Sequence, residues 1–396
     1  MSEDLSNMSN EELIKLYHEA KAKSVVFNLS QQAKKILLNS CYGAIGNAYF
    51  LHNDVRIARA ITLAGQTMIN KSANETNEWL NKVLRNKADE DYRVYSDTDS
   101  NYFDLDDALK MFQKVKPEAT RQDKADFLDK FCQKIESDCL SPLFDRVAEE
   151  INGVRSAPLH MDREAIAVPN EKTGHCGMWI AKKRYYLLLD DMEGFRYTAN
   201  NGEPHEKIMG LFSVTSSCPE FVKPWFNKVL HDLAAEGVEK ARKTIAEFKE
   251  LFFSKPISEI SFQKGVSDIE KFLDPETNLP WDGEWLDASS GKTRNGGCPI
   301  NAKAAIYHNY LIDELKLGKK YQKIKSGDKM KYAYLKENPK RWNVIGFLDD
   351  IPEEFNMKGY VDIQTHYEKI FYKPVEDVFK ACGVDIEPKV DISSFF

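Results

Sequence analysis

Asp97 and Asp99 flank Thr98 in the run Tyr95-Ser-Asp-Thr-Asp-Ser100. Two carboxylates that close, with only hard oxygen donors, suit Mg²⁺ or Mn²⁺. A D-x-D on its own is also found in solvated acidic turns. Here Tyr92, Val94, Tyr95, Tyr102 and Phe103 flank the acids, which predicts a hairpin whose tip is held by buried strands. Asp162 and Glu164 stand two apart in an expected strand and would point to one side of a sheet. Glu164 is therefore a candidate third carboxylate, the alternative being an edge-strand acid paired with Arg163 or a lysine. Lys35, Asn39 and Tyr42 stack an ammonium, an amide and a phenol on one helical face just before Gly43. Such a face could meet a nucleotide, lysine neutralising phosphate and Gly43 allowing close approach. An amphipathic helix with Ile36, Leu37 and Leu38 partly buried accounts for the same letters. In Lys182-Lys-Arg-Tyr-Tyr186, alternation places Lys183 and Tyr185 on one strand face and Arg184 on the other. Basic and aromatic interleaving suits a nucleic-acid backbone and its bases, and equally an exposed strand of snorkelling lysines.

These residues need a scaffold, and 396 residues with 42% hydrophobic content supply one of two or three domains. No apolar run approaches the roughly 18 residues of a membrane span, and the first ten positions are no signal peptide; a soluble, cytoplasmic protein is expected. Seven scattered cysteines without a CxxC pair read as reduced thiols. The net charge of −7 hides a local contrast: Lys316 to Arg341 holds ten basic residues against two acids, whereas Leu348 to the end holds eleven acids against five lysines. The basic strip, with Lys323, Lys325, Lys329 and Lys331 at its centre, could face a polyanion or be a solvated hairpin.

Ser9 and Glu12 form a capping box opening a helix that continues through Lys35 to Asn39. A second helix follows the Gly43 to Asn47 break. Helical patterns return from about Lys124 to Ile151, and His160–Val168 and Met178–Leu189 are expected to join the hairpin's sheet in an α+β arrangement. Pro219 to about Phe253 reads as a helical hairpin broken at Gly237, followed by a loop-rich segment. A helix near Pro299 to Leu315, the basic strands and a helix around Asp362 to Ala381 complete a second domain.

Taken together, Lys35-Ile-Leu-Leu-Asn39-Ser-Cys-Tyr42-Gly43-Ala-Ile-Gly-Asn47 resembles motif B of family B DNA polymerases, Tyr95-Ser-Asp97-Thr-Asp99-Ser100 their motif C, and Lys183-Arg184-Tyr185 their primer-contacting motif. Met161 to Ile166, Ile208-Met209-Gly210-Leu211, Gly297-Cys298-Pro299 and Phe395-Phe396 extend the resemblance, towards the polymerases of T-even-like bacteriophages. Ser96 stands where the family usually has glycine, and Cys41 where leucine is common. Asp268-Ile-Glu270 and Asp385-Ile-Glu387 are chance matches to an exonuclease signature.

The resemblance implies an incomplete right hand: residues 1–42 the second half of the fingers, 43–208 a palm with an antiparallel sheet, 209–388 a mainly helical thumb, and 389–396 a clamp-binding tail. It assigns Lys35 to the incoming deoxynucleoside triphosphate, Asn39, Tyr42 and Gly43 to the nascent base pair, and Asp97, Asp99 and Glu164 to two Mg²⁺ ions. Lys183 and Tyr185 would contact primer-template DNA, and Lys323, Lys325, Lys329 and Lys331 the duplex behind it. Ile392, Phe395 and Phe396, at spacing i, i+3, i+4, would enter a pocket on a sliding clamp. The first catalytic aspartate (motif A), the exonuclease and the first fingers helix have no counterpart here. A second, N-terminal polymerase chain is thus an expected partner, this chain alone inactive or nearly so, and the cytoplasm of an infected bacterium the place of action. A D-x-D glycosyltransferase leaves the Lys35 and Lys183 segments unexplained, and a non-catalytic DNA- or clamp-binding subunit is the reading from a different class.

Overall fold

The computed structural model describes residues 8–85, 90–152, 159–281, 285–287, 292–294 and 297–387 of the chain. The fold is α+β, and it divides into two units, residues 1–115 with 131–162 and residues 116–130 with 163–396. The segment read as the palm, 43–208, contributes to both. Among the described residues no helix is long and apolar enough to cross a membrane.

In the first unit, helix α1 (Asn10–Gly46) opens on the expected capping box, Glu12 N–H reaching Ser9 Oγ at 3.4 Å and Ser9 N–H reaching Glu12 Oε2 at 2.8 Å. Its apolar residues form no stripe, and none of its residues is buried. The chain turns where the Asn53 amide and Asp54 N–H both donate to the Ile45 carbonyl, at 2.9 and 3.0 Å. Asp54 then caps α2 (Val55–Val83) through the Arg56 N–H at 2.9 Å. Strands β1 (Arg93–Asp97) and β2 (Ser100–Phe103) pair antiparallel. Helix α3 (Asp106–Val115) follows; α4 (Arg121–Ile135) belongs to the second unit up to Lys130 and to the first from Phe131, running through a π segment at Glu136–Leu140 into α5 (Ser141–Asn152). Leu80, Tyr92 and Ile135 are buried together with Trp79, Phe103 and Phe131 packed against them, and Leu143, Phe144 and Val147 bury beside Met68.

The second unit holds β3 (Ala165–Ile166), β4 (Gly177–Ala181), β5 (Arg184–Leu189), β6 (Asp191–Met192), β7 (Phe195–Arg196), the short α6 (Tyr197–Asn201) and β8 (His205–Met209). The expectation that these strands join the hairpin's sheet is corrected: β1-β2, β3-β6-β7 and β4-β5-β8 are separate sheets. The apolar run of β5 ends at Asp190, which is fully buried. Its carboxylate accepts from Arg121 at 2.6 and 3.0 Å and from Val168 N–H at 2.7 Å, so the ladder stops there and restarts at Asp191. A buried carboxylate so held is costly to leave unpaired, which fixes the N-terminal turn of α4 to this sheet. Asp191, also buried, is met by Arg163 and Arg196, and Arg163 also holds Asp129 at 2.7 Å.

Helices α7 (Val222–His231) and α8 (Val238–Phe253) form the expected helical hairpin, a π segment at Asp232–Glu236 and Gly237 lying between them. Phe248 sits among Phe221, Trp225, Phe252 and Phe371, ring centroids 4.2–5.7 Å apart. Then come α9 (Ile257–Ile260), β9 (Phe262–Gly265), β10 (Trp285–Asp287), β11 (Lys292–Arg294) and α10 (Ile300–Glu314). Strands β12 (Lys329–Tyr334) and β13 (Val344–Phe347) precede α11 (Ile363–Tyr367), a π segment at Glu368–Tyr372 and α12 (Lys373–Ala381). The sheet β13-β12-β9 lies directly on α10: a Cβ at Gly346 would stand 2.7 Å from the Ala304 carbonyl oxygen.

The fully buried His366 joins β12 to the region of α9. Its Nε2 accepts from Tyr334 N–H at 2.8 Å, so Nδ1 is the nitrogen that donates, to the Ile260 carbonyl at 3.2 Å. Burial pushes its pKa down from 6.5 to about 4. The imidazole's contribution to stability is therefore complete above about pH 6.5 and lost as the pH falls towards 4, a change of about 3 kcal/mol. In His366→Gln, whose amide oxygen can still accept, the thermal midpoint should fall less between pH 6.5 and 4 than in the wild type. Equal slopes would remove His366 from the acid response.

Candidate active site

The two acids sit where the sequence places them, at the tip of β1-β2. Asp97 ends β1 and pairs with Ser100, leaving Thr98 and Asp99 as a two-residue turn. Thr98 has φ +53°, the left-handed region that a β-branched residue seldom occupies. The Asp99 N–H donates to the Asp97 carbonyl at 2.6 Å, and Thr98 Oγ1 donates to Asp97 Oδ1 at 3.0 Å. Asp97 is half-buried and Asp99 exposed.

The strands are held less by burial than by polar ties to α2. Ser96 Oγ donates to Asn101 Oδ1 at 2.5 Å, while the Asn101 amide donates to the Ile69 carbonyl at 3.2 Å and to the buried Ser72 Oγ at 3.1 Å. At the open end, Asn77 accepts Tyr92 N–H at 3.1 Å and donates to Asp91 at 2.6 Å, which with the Arg93 N–H holds the Asp91 carboxyl below its usual range. Tyr92 is 5% exposed and Phe103 packs against its cluster. A bulge at Val94 turns that side chain outward, 48% exposed, so the expected wall of buried aromatics is partial.

Two carboxylates alone do not fill the coordination of Mg²⁺. The ion takes few protein carboxylates and completes its shell with water and substrate phosphate. Asp97 and Asp99 fit that part in donor type and placement. Among the described residues no group of three or more His, Cys, Asp or Glu is gathered as a full metal cage.

Lys35, Asn39 and Tyr42 lie exposed along the C-terminal half of α1, and the space where a Gly43 side chain would stand is open. Tyr42 Oη and Thr62 Oγ1 of α2 are 2.8 Å apart. The amphipathic alternative is not what the helix shows, since Ile36, Leu37 and Leu38 are 65–72% exposed.

The other site residues lie in the second unit. Glu164 is 55% exposed, with Lys207 Nζ at 4.0 Å, whereas Arg163 turns to Asp129 and Asp191. Lys183 is not in a strand but in the turn between β4 and β5, at φ +61°, and is exposed. Tyr185 is 5% exposed with Trp179 at 4.6 Å. The cationic side chains thus stand at a hairpin tip while the tyrosine ring supports it from within. Gly210, quoted above only as part of a resemblance, is what admits this turn: at φ +61° its absent Cβ would meet the Lys183 carbonyl at 2.1 Å.

In the basic strip, acids from outside it neutralise part of the charge. Lys323 pairs with Asp313 at 2.6 Å, Lys340 with Glu314 at 2.6 Å, and Lys320 with Glu354. Lys325 and Lys329 are exposed, and Lys331 is half-buried on β12, alternating with buried Met330 and Tyr332. Ile392, Phe395 and Phe396 lie outside the described residues. The Arg121–Asp190 tie went unread, although two adjacent acids ending the run Leu187-Leu-Leu-Asp-Asp191 were the signal for a buried arginine partner.

The family model for DNA polymerase family B matches residues 11–137, the stretch that holds both the Lys35 helix and the Asp97–Asp99 hairpin. Over that stretch the chain is similar to the family B DNA polymerases. Along its whole length it is similar to two curated proteins, each called a DNA-directed DNA polymerase. The one from Enterobacteria phage T4 is 30% identical over 401 residues, 99% of this chain and 41% of the relative. The one from Escherichia phage RB69 is 29% identical over 405 residues, 100% of this chain and 42% of the relative. The chain therefore spans about two fifths of the length of the curated relatives it matches.

Gly210→Ala should displace the Lys182–Lys183 turn. Limited trypsin digestion should then cut within Lys182–Arg184 several-fold faster than in the wild type. An unchanged rate would show that the turn does not depend on this glycine.

Proposed function

We propose that this chain supplies the nucleotide-selecting helix, one of the two carboxylate strands and the DNA-gripping part of a DNA-directed DNA polymerase. In this reading it acts as a C-terminal subunit, and a second polypeptide brings the motif A aspartate, the first fingers helix and the exonuclease. The observation that carries the proposal is the hairpin tip: two acids one residue apart on a buttressed hairpin, in a chain similar to such polymerases along its length.

Asp97 and Asp99 would hold Mg²⁺, with Glu164 as an outer contributor. When bound, two such ions lower the pKa of the primer 3′-hydroxyl and offset charge on the leaving pyrophosphate. The chain's own side chains do the rest. Lys35 neutralises the incoming triphosphate, and Asn39, Tyr42 and Gly43 shape the pocket for the new base pair. Lys183, at its turn, meets the primer backbone, with Tyr185 beneath it. Lys325, Lys329 and Lys331 grip the duplex through phosphates without reading sequence, Lys323 joining them only where it leaves Asp313. Residues 1–42, 43–208 and 209–388 serve as fingers, palm and thumb, and the tail with Ile392, Phe395 and Phe396 docks on a sliding clamp, in the cell of the infected bacterium.

Asp99→Ala in the assembled enzyme should lower primer extension by at least a thousand-fold while leaving primer-template affinity within a few-fold; retained turnover would reassign the metal site. Lys329→Gln should weaken duplex binding for all sequences alike and reduce the slope of log affinity against log salt by roughly 1. An unchanged slope would take that lysine off the DNA path.

A further inference from the structure

The hairpin that carries Asp97 and Asp99 has weak local determinants of register. A two-residue turn fixes the pairing of its strands when both central residues suit its backbone, as Asn-Gly does. Here they are Thr98, a β-branched residue at φ +53°, and Asp99. Away from the tip the pairing shifts between Arg93 and Tyr95. The Tyr95 and Tyr102 rings stand directly opposite, centroids 5.9 Å apart, but rings of that size also reach diagonal neighbours and so tolerate a slip. Register matters because the side-chain period of a strand is two, so a slip by one residue moves every side chain to the other face.

Ser96 and Asn101 face each other across the two strands, next to the tip. The direction of each hydrogen bond around them is determined. Ser72 Oγ gives its single proton to the Ile69 carbonyl at 2.9 Å, so it accepts from Asn101 Nδ2 at 3.1 Å. The other Nδ2 proton goes to the Ile69 carbonyl at 3.2 Å. The amide is thereby oriented with its nitrogen toward α2 and its oxygen toward β1, where Oδ1 accepts from Ser96 Oγ at 2.5 Å. An aspartate at this position could not donate to Ile69, and a leucine could make none of these bonds. Alternation sets Ser96 and Asn101 on the face toward α2 and Asp97 on the opposite face. A slip by one position would exchange them and turn Asp97 toward Ile69 and Ser72.

We infer that Asn101 is a positioning residue: through Ser96 and Ser72 it holds the register that keeps Asp97 on the face where it can share a divalent cation with Asp99. Resting on the metal role proposed for the two acids, this assigns their placement to a neutral side chain on the opposite strand. Asn77, which takes the Tyr92 N–H at 3.1 Å, lies on the far side of the register shift and steadies the hairpin without setting the tip.

The test is Mn²⁺ binding to the full chain, followed by electron paramagnetic resonance and counting only the site that Asp99→Ala removes. Asn101→Leu, of similar volume, should weaken that site by about ten-fold, as loss of a group that orients a metal ligand does, and Ser96→Ala should weaken it in the same direction. Asn77→Ala, which loosens the open end, should leave the Mn²⁺ affinity near that of the wild type. Should Asn101→Leu fail to fold, Ser96→Ala decides, since it removes a single oxygen. An Asp99-dependent site of unchanged affinity in both variants overturns this assignment alone. Equal weakening by Asn77→Ala also overturns it, reducing Asn101 to a general support of the hairpin. Absence of any Asp99-dependent site overturns the metal role itself, and the positioning role with it.

Discussion

Two carboxylates can share a cation only if something other than the cation holds them together, because their mutual repulsion favours separation. In this chain the holding is done by a small set of neutral hydrogen bonds. Asn101 reaches back to Ser72 and the Ile69 carbonyl, and Asn77 takes the Tyr92 N–H at the other end. All three partners lie on α2, so the hairpin is clamped at both ends to one helix and its two-residue turn projects free. The anchors are uncharged and add no charge of their own to the tip. The positive φ of Thr98 is a strain such an over-determined turn can maintain.

The second unit carries cations both at a hairpin tip and around a sheet. Lys183 is carried on a turn made possible by Gly210 and braced by the Trp179–Tyr185 contact. Around the β3-β6-β7 sheet, by contrast, three arginines meet a group of aspartates, two of them fully buried, and the charges are spent on one another. The same division recurs in the basic strip, where Lys320, Lys323 and Lys340 are paired while Lys325 and Lys329 stand exposed. A lysine's availability to a polyanion depends on which acids the fold brings to it, and sequence distance does not reveal that.

Local features were legible and non-local ones were not. The capping box at Ser9 and the break at Gly237 are written in neighbouring residues and form as read, and the hairpin around Asp97–Asp99 forms with a shorter turn, Ser96 and Asp97 belonging to β1. Period-2 alternation failed at Val94, where a bulge shifts the register, and at Lys183, which belongs to a turn. The single sheet expected from the strand-forming stretches is three, and Asp190, whose partner Arg121 lies 69 residues earlier in the chain, stands between the end of β5 and the start of β6. The candidate site's own letters were found from type and spacing. Their supports, Asn77, Asn101, Ser72 and Gly210, were not, since a supporting residue carries no chemistry of its own to recognise.

In the proposed function these residues form one part of a polymerase active site and act together with a further carboxylate strand. The most direct measurement is Mg²⁺-dependent primer extension by this chain alone and by this chain mixed with a polypeptide carrying the exonuclease, motif A and first fingers helix. The account predicts template-directed extension, with a 1:1 complex, in the mixture only. Extension by the chain alone would contradict the need for the motif A aspartate, and no extension in a mixture that does form the complex would contradict the polymerase reading itself.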